Sequence, residues 1–193
     1  MRAARFALAI LLLPAASAVQ AQQQVAVSAE LVIAAPTGNG TRNLSFGAVA
    51  PVAGQTVLVD VPAARTPISG TRYAGEFSFN VSGSRGLDFS VAVPVELTFG
   101  SNPTLGMNSN STQYGGHCWT VNGSACALTS FNPSAGPVRV CHTMLGNGSC
   151  HNNRFFSTGS ELYVYIGSML TVPPTAMPGT YTGTITLTIV QVY

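Results

Sequence analysis

The side chains with the richest chemistry in this 193-residue chain are its four cysteines, three of which have a histidine beside them. They occur as His117-Cys118, Cys126, Cys141-His142 and Cys150-His151. Thiolate and imidazole groups are the ligands of zinc sites, whose paired ligands are usually separated by about two to four residues. Because seven and eight residues separate the successive cysteine pairs here, we expect disulfides in place of a metal site, and no cofactor.

Four cysteines can pair in three ways, and an even number is typical of an exported protein with disulfides. An Asn-Gly dipeptide, which is a hairpin signal, lies between Cys118 and Cys126. Another lies between Cys141 and Cys150. A hairpin at each turn would place the flanking cysteines opposite each other. The pairs 118–126 and 141–150 are therefore favoured, and pairing between the two hairpins is the alternative.

Catalytic motifs are sparse. No Gly-x-Ser-x-Gly sequence occurs, since the nearest match, Ser82-Gly83-Ser84-Arg85-Gly86, has a serine at its first position. Gly116-His117-Cys118-Trp119 is superficially similar to the cysteine context of papain-like proteases. Those enzymes need a histidine about 130 residues or more downstream, and the chain ends before that distance is reached. We expect a protein that is not an enzyme and has no catalytic residues.

The N-terminal residues have the order of a targeting segment. Arg2 and Arg5 precede an apolar run at residues 6–13, and small residues follow as far as Ala21. This order predicts a secretory signal peptide at residues 1–21, cleaved after Ala21. A membrane anchor would need about 18 or more apolar residues, and this run is shorter. We therefore expect an exported protein without stable membrane insertion.

The distribution of charge argues against nucleic acid as a partner. The net charge of +2 comes from Arg2 and Arg5, because the six remaining arginines balance the six acidic residues. A neutral chain with scattered charges lacks the basic surface that binds phosphate backbones.

Short runs of alternating apolar and polar residues dominate residues 22–193, which we interpret as one domain. Gly, Pro, Asn and Ser punctuate them, and many short strands of this kind predict an all-β sandwich or barrel. The runs lie at residues 25–33, 43–49, 56–61, 76–81, 87–99, 138–145, 161–166, 169–172 and 184–193.

Residues 100–158 interrupt this rhythm and contain all four cysteines. We interpret them as an elaborated loop or extra hairpins inserted into one sandwich. Trp119 and Tyr114 lie in this insertion and are candidate ligand contacts, because aromatic rings stack on sugars and proteins. The alternative for both rings is packing of the insertion onto the sandwich.

Two stretches together resemble a known family. The run NLSFGAVAP at residues 43–51 resembles an early strand of bacterial chaperone–usher-type pilin domains. It is most similar to spore coat protein U-like subunits and a related bacterial secreted family of unknown function. YIGSMLTVP at 165–173, followed by PGTYTGT at 178–184, resembles the end of the same domains. The cysteine-bearing middle departs from the family pattern.

The resemblance implies an incomplete immunoglobulin-like sandwich that lacks one strand. The missing strand is supplied first by a periplasmic chaperone and then by the N-terminal strand of the next subunit, in a pathway that includes an outer-membrane usher. Such donation uses main-chain hydrogen bonds and alternating side-chain pockets. The partners implied are copies of the chain or related subunits, and the location is the bacterial cell surface or the extracellular space, reached through the periplasm.

The two sides of such an exchange can be assigned to residues. The candidate donor is 22–33, with alternating apolar positions at Val25, Val27, Ala29, Leu31 and Ile33. The candidate acceptor edge is the last strand, with apolar positions at Ile185, Leu187 and Ile189. The alternative for 22–33 is that it forms the first strand of its own sandwich.

Two functions follow. The first is a structural subunit of a surface fibre or coat, assembled by strand donation. The second is a stand-alone or tip-located adhesin that binds its ligand through 100–158.

Overall fold

The computed structural model describes residues 25–33, 38–50, 52, 54–65 and 70–193. The predicted signal peptide, 1–21, lies outside this part of the chain. In chain order the elements are β1 (Val25–Ile33), β2 (Gly38–Arg42), β3 (Leu44–Val49), β4 (Thr56–Val59), β5 (Gly75–Asn80), β6 (Gly86–Ala92), β7 (Glu96–Leu97), β8 (Leu105–Asn108), a 3₁₀ turn (Thr112–Tyr114), β9 (Gly115–Val121), β10 (Thr129–Phe131), β11 (Val138–Cys141), β12 (Ser160–Ile166), β13 (Ser168–Thr171), β14 (Thr180–Tyr181) and β15 (Thr184–Val192).

The strands form three sheets that enclose one main hydrophobic core, so the predicted all-β sandwich class is confirmed. The first sheet has the order β11-β6-β15-β1-β14, with β3 also paired to β1. The second has the order β10-β9-β12-β5-β2, and the third β4-β13-β8-β7. Each sheet contributes fully buried side chains to this core, among them Phe46, Phe89, Leu187, Phe77, Leu162, Leu105 and Leu170.

Strand β12 is apolar on both faces because both are covered. Leu162, Val164 and Ile166 point into the main core. Tyr163 and Tyr165 lie on the opposite face, in a smaller cluster with Cys118 and the partly buried Val61 and Leu128. Burial on both faces removes the apolar–polar alternation expected of a half-exposed strand.

Residues 100–158, which carry both disulfides, contribute strands to the sheets of the sandwich. They contain β8 to β11. One edge of β9 pairs along its whole length with β12, and the other edge of β9 pairs with β10. β11 pairs with β6 in the first sheet. The sequence of β9, GGHCWTV, hides its strand character because its buried positions include two glycines and a cysteine.

The last strand is held firmly along one edge. β15 pairs antiparallel with β6, and Tyr193 extends this contact by exchanging backbone hydrogen bonds with Arg85 and Gly86. Its hydroxyl donates to Asp88 Oδ2 (2.7 Å). Arg139 of β11 donates to both oxygens of Asp88, at 2.9 and 2.8 Å, so one carboxylate links β6, β11 and the end of β15.

This carboxylate should stabilise the fold only while it is charged. The hydrogen bond from Arg139 lowers the pKa of Asp88, so its stabilisation is complete above the ordinary value of about 4 and is lost as pH falls through the lowered pKa. We expect Asp88→Asn to reduce the free energy of unfolding by about 1 kcal/mol at pH 7, measured by urea titration. The difference from wild type should shrink below about pH 4. Asp60→Asn, at an exposed position, is the matched control and should leave the free energy unchanged.

Candidate functional site

The N-terminal strand lies between two strands of its own chain. β1 pairs antiparallel with β3, from Val25 opposite Val49 to Ala29 opposite Leu44. On its other edge it pairs parallel with β14, and then with β15 from Glu30 opposite Thr184 to Ile33 opposite Leu187. We call the strand position between β3 and β15 the seam. In this chain the seam is filled by its own β1.

The walls of the seam are buried core residues. Leu44 and Phe46 of β3 are fully buried, as are Ile185 and Leu187 of β15. Ile189, the third predicted acceptor position, is half-buried and packs against the same core. The predicted acceptor edge is therefore paired with β1 over Thr184–Leu187. The side chains of the predicted donor positions Val25, Val27, Ala29, Leu31 and Ile33 lie outside the described part.

The glycine of the 43–51 motif fits a bulge in the seam. The register between β1 and β3 shifts after Val27, so Phe46 has no residue opposite it. Gly47 follows with φ +66°, a left-handed conformation that glycine adopts without steric cost. A Cβ atom at Gly47 would lie 2.9 Å from Thr71 Oγ1 and 3.2 Å from the Thr71 carbonyl oxygen. The motif thus specifies how β3 bends beside β1.

The two predicted ligand contacts have different environments. Tyr114 is only 4% exposed and offers no surface to a ligand, which corrects the prediction for this residue. Trp119 is half-buried. Its ring lies 5.1 Å from that of His142 and 5.0 Å from that of Phe156, measured between centroids.

Trp119 borders a cleft of about 360 Å³ at one side of the sandwich. The cleft lies between β9 and β10 of the second sheet and β11 of the first. His117, Ala127, Thr129, Arg139 and Met144 also border it, together with the disulfide residues Cys118 and Cys141. Among these residues, Trp119 is the one that its residue type led us to predict as a ligand contact. His117 could have been added, because residues two apart on a strand share a face.

Burial makes His117 a neutral group. Its ring has centroid distances of 6.3 Å to Phe89 and 6.0 Å to Phe131, and its Nδ1 atom is buried without a hydrogen-bond partner in the described part of the chain. Removal from water lowers the pKa of His117 to about 4. The imidazole is therefore uncharged at neutral pH.

Two disulfides stiffen the region around the cleft. Cys118 is bonded to Cys126 and Cys141 to Cys150, the pairing that the turn signals favour. They indicate an oxidising, extracytoplasmic environment. Within the described residues no group of three or more His, Cys, Asp and Glu side chains is placed to hold a metal ion. The same residues contain no helix of the length and apolarity that crossing a membrane requires.

The bulge at Gly47 can be tested against a second glycine. Gly47→Ala should combine the cost of a left-handed alanine, about 1–2 kcal/mol, with the close approach of Thr71. Gly100→Ala is the matched control, because Gly100 has φ +56° and no atom lies within 4 Å of the place that its Cβ would occupy. Urea unfolding should show a larger loss of stability for Gly47→Ala than for Gly100→Ala. Equal losses would contradict a steric constraint at the seam.

The buried histidine predicts a pH dependence of stability. As pH falls from about 6.5 to about 4, the unfolded state binds a proton at His117 that the folded state does not. The free energy of unfolding should therefore fall over this interval, on the order of 2 kcal/mol. His117→Phe, which suits the neighbouring Phe89 and Phe131 rings, should remove this component of the slope. Thermal or urea unfolding between pH 7 and 4 measures it, and an unchanged slope in the variant would contradict the assignment.

Comparison with known families gives a match over most of the chain. A family model described as "Domain of unknown function (DUF4402)" matches residues 37–191. No curated protein matches the chain. The matched region begins after β1 has ended and runs without interruption from β2 into β15, through the cysteine-bearing residues 100–158. The chain belongs to the DUF4402 family.

Proposed function

We propose that this protein is a non-enzymatic structural subunit of a bacterial surface fibre or coat, and that its copies assemble by placing β1 of one chain in the seam of another. The observation that carries the proposal is the position of β1. This strand precedes the family match at 37–191, yet it fills the seam between two strands of that region. The strand that completes the first sheet therefore lies outside the region that the family model matches.

Exchange between copies would conserve the contacts of the seam. A second copy offers the same β3 and β15 edges, so a donated β1 would regain both ladders. Only four residues, 34–37, join β1 to β2, although β1 belongs to the first sheet and β2 to the second. Short connections of this kind favour exchange of an element between copies.

The two ladders of β1 differ in strength. Its pairing with β3 is antiparallel, whereas its pairing with β14 and β15 is parallel. Parallel pairing is slightly less stable per residue, so the edge toward β15 is the easier one to open. An open seam would expose unpaired backbone beside buried apolar residues, which is an aggregation hazard that a donated strand removes.

The disulfides, the predicted signal peptide and the family resemblance support export and assembly. The two disulfides fit an extracytoplasmic location, and the predicted signal peptide would bring the chain there. The resemblance to chaperone–usher subunits adds a periplasmic chaperone as the protein that would cover the open seam before assembly, and an usher as the site of assembly.

Engineered cysteines test whether β1 changes chains. Val32 of β1 lies opposite Thr186 of β15, within the range that a disulfide can bridge. Chains carrying Val32→Cys are assembled with differently sized chains carrying Thr186→Cys, then oxidised and separated without reductant. We expect mixed covalent dimers, because donation places the two cysteines of different chains side by side.

The matched control replaces Thr186→Cys with Thr188→Cys, about 7 Å further along β15, which should give few mixed dimers. A chain carrying both Val32→Cys and Thr186→Cys reports the other outcome. If it closes an internal disulfide and the single-cysteine chains give no mixed dimers although fibres form, β1 stays in its own chain. That result would contradict assembly by strand donation.

A further inference from the structure

We propose that the cleft bordered by Trp119 binds a neutral saccharide. This site is independent of strand donation, because none of the residues that border it belongs to β1, β3 or β15. Its volume of about 360 Å³ lies near the lower end of the range for small-molecule sites, and it suits a mono- or disaccharide.

The charge of the cleft selects an uncharged ligand. Arg139 is its cationic border residue, and its guanidinium makes two hydrogen bonds to Asp88 and one to the Gly148 carbonyl oxygen. His117 is neutral because burial lowers its pKa to about 4. With the guanidinium paired and the imidazole uncharged, an anionic ligand would find no uncompensated positive charge there.

The remaining border groups match the two sides of a sugar ring. Trp119 and Met144 provide apolar surface for the C–H face of a pyranose, and tryptophan combines the largest apolar area of any side chain with defined stacking geometry. Thr129 is exposed, and its hydroxyl can both donate a hydrogen bond to a sugar hydroxyl and accept one from it.

An extended peptide fits the cleft less well. Such a peptide would add to the edge of β10 or β11, but these strands have only three and four residues. Strand addition draws its affinity from a row of main-chain hydrogen bonds, and edges this short provide few of them. The saccharide is therefore the occupant that the dimensions and chemistry favour.

Trp119 is the single tryptophan of the chain, so its fluorescence reports directly on the cleft. A glycan array carrying neutral, sialylated and sulfated glycans identifies binders, and the free saccharide of each hit is then titrated by fluorescence and calorimetry. We expect neutral glycans among the hits and a saturable change in Trp119 emission.

Variants separate binding from folding. Trp119→Ala should weaken binding by about tenfold or more in calorimetry, whereas Phe155→Ala should bind as wild type, since Phe155 is exposed but does not border the cleft. Trp119 also packs against Phe156, so its replacement could affect folding, and Ala127→Tyr provides a second test. Ala127 is exposed at the cleft border. The larger ring should block the cleft while the thermal unfolding temperature remains that of wild type.

Three outcomes of the glycan experiments would overturn the proposal. They are an array without neutral binders, binding restricted to anionic glycans, and wild-type affinity in both Trp119→Ala and Ala127→Tyr. Capture of short hydrophobic peptides in place of glycans would assign the cleft to a peptide and would equally overturn it. None of these results would bear on the exchange of β1, which the cysteine cross-links measure separately.

Discussion

The backbone of β15 must find hydrogen-bond partners on both edges, because its apolar face lies in the core and buried peptide groups are costly when unpaired. One edge is satisfied by β6. The other is satisfied over Thr184–Leu187 by the second half of β1, whose first half pairs with β3. The fully buried Phe46 and Leu187 flank this seam. The completeness of the first sheet therefore depends on a strand that precedes the family region 37–191.

The two edges of β15 are stabilised in different ways. On the β6 side the antiparallel ladder is reinforced by the carboxylate of Asp88, which binds Arg139 and Tyr193. On the β1 side the ladder is parallel and covers only Thr184–Leu187. The proposed assembly uses this asymmetry, with β6 kept as the partner of β15 and β1 replaced by the β1 of another copy. The cleft beside Trp119 lies at β9–β11, so the proposed saccharide site and the proposed strand exchange share no residues.

Sequence periodicity located the strands whose two faces differ. The alternation around Ile185 and Leu187 predicted β15, and the 43–51 motif predicted β3. Periodicity missed β9 and β2, because their sequences, GGHCWTV and GNGTR, contain glycines in place of alternating apolar residues. Periodicity also could not give the direction of β1, because a period of two is the same in parallel and antiparallel pairing.

Residue type suggested Tyr114 and Trp119 equally as ligand contacts, and only the fold distinguishes the buried ring from the one beside the cleft. The contribution of His117 and Arg139 to the cleft depends on strand pairing across two sheets, which no local pattern encodes.

β1 fills the seam between β3 and β15, and we propose that it does so as a replaceable strand. Amide hydrogen exchange on the folded chain tests this proposal, with peptides covering β1, β6 and β15 followed separately. We predict that Val25–Ile33 is protected, but that it opens at a lower free energy than the β6–β15 ladder. The proposal would be contradicted if the amide hydrogens of Val25–Ile33 exchanged at the rate of an unstructured peptide while those of β6 and β15 remained protected.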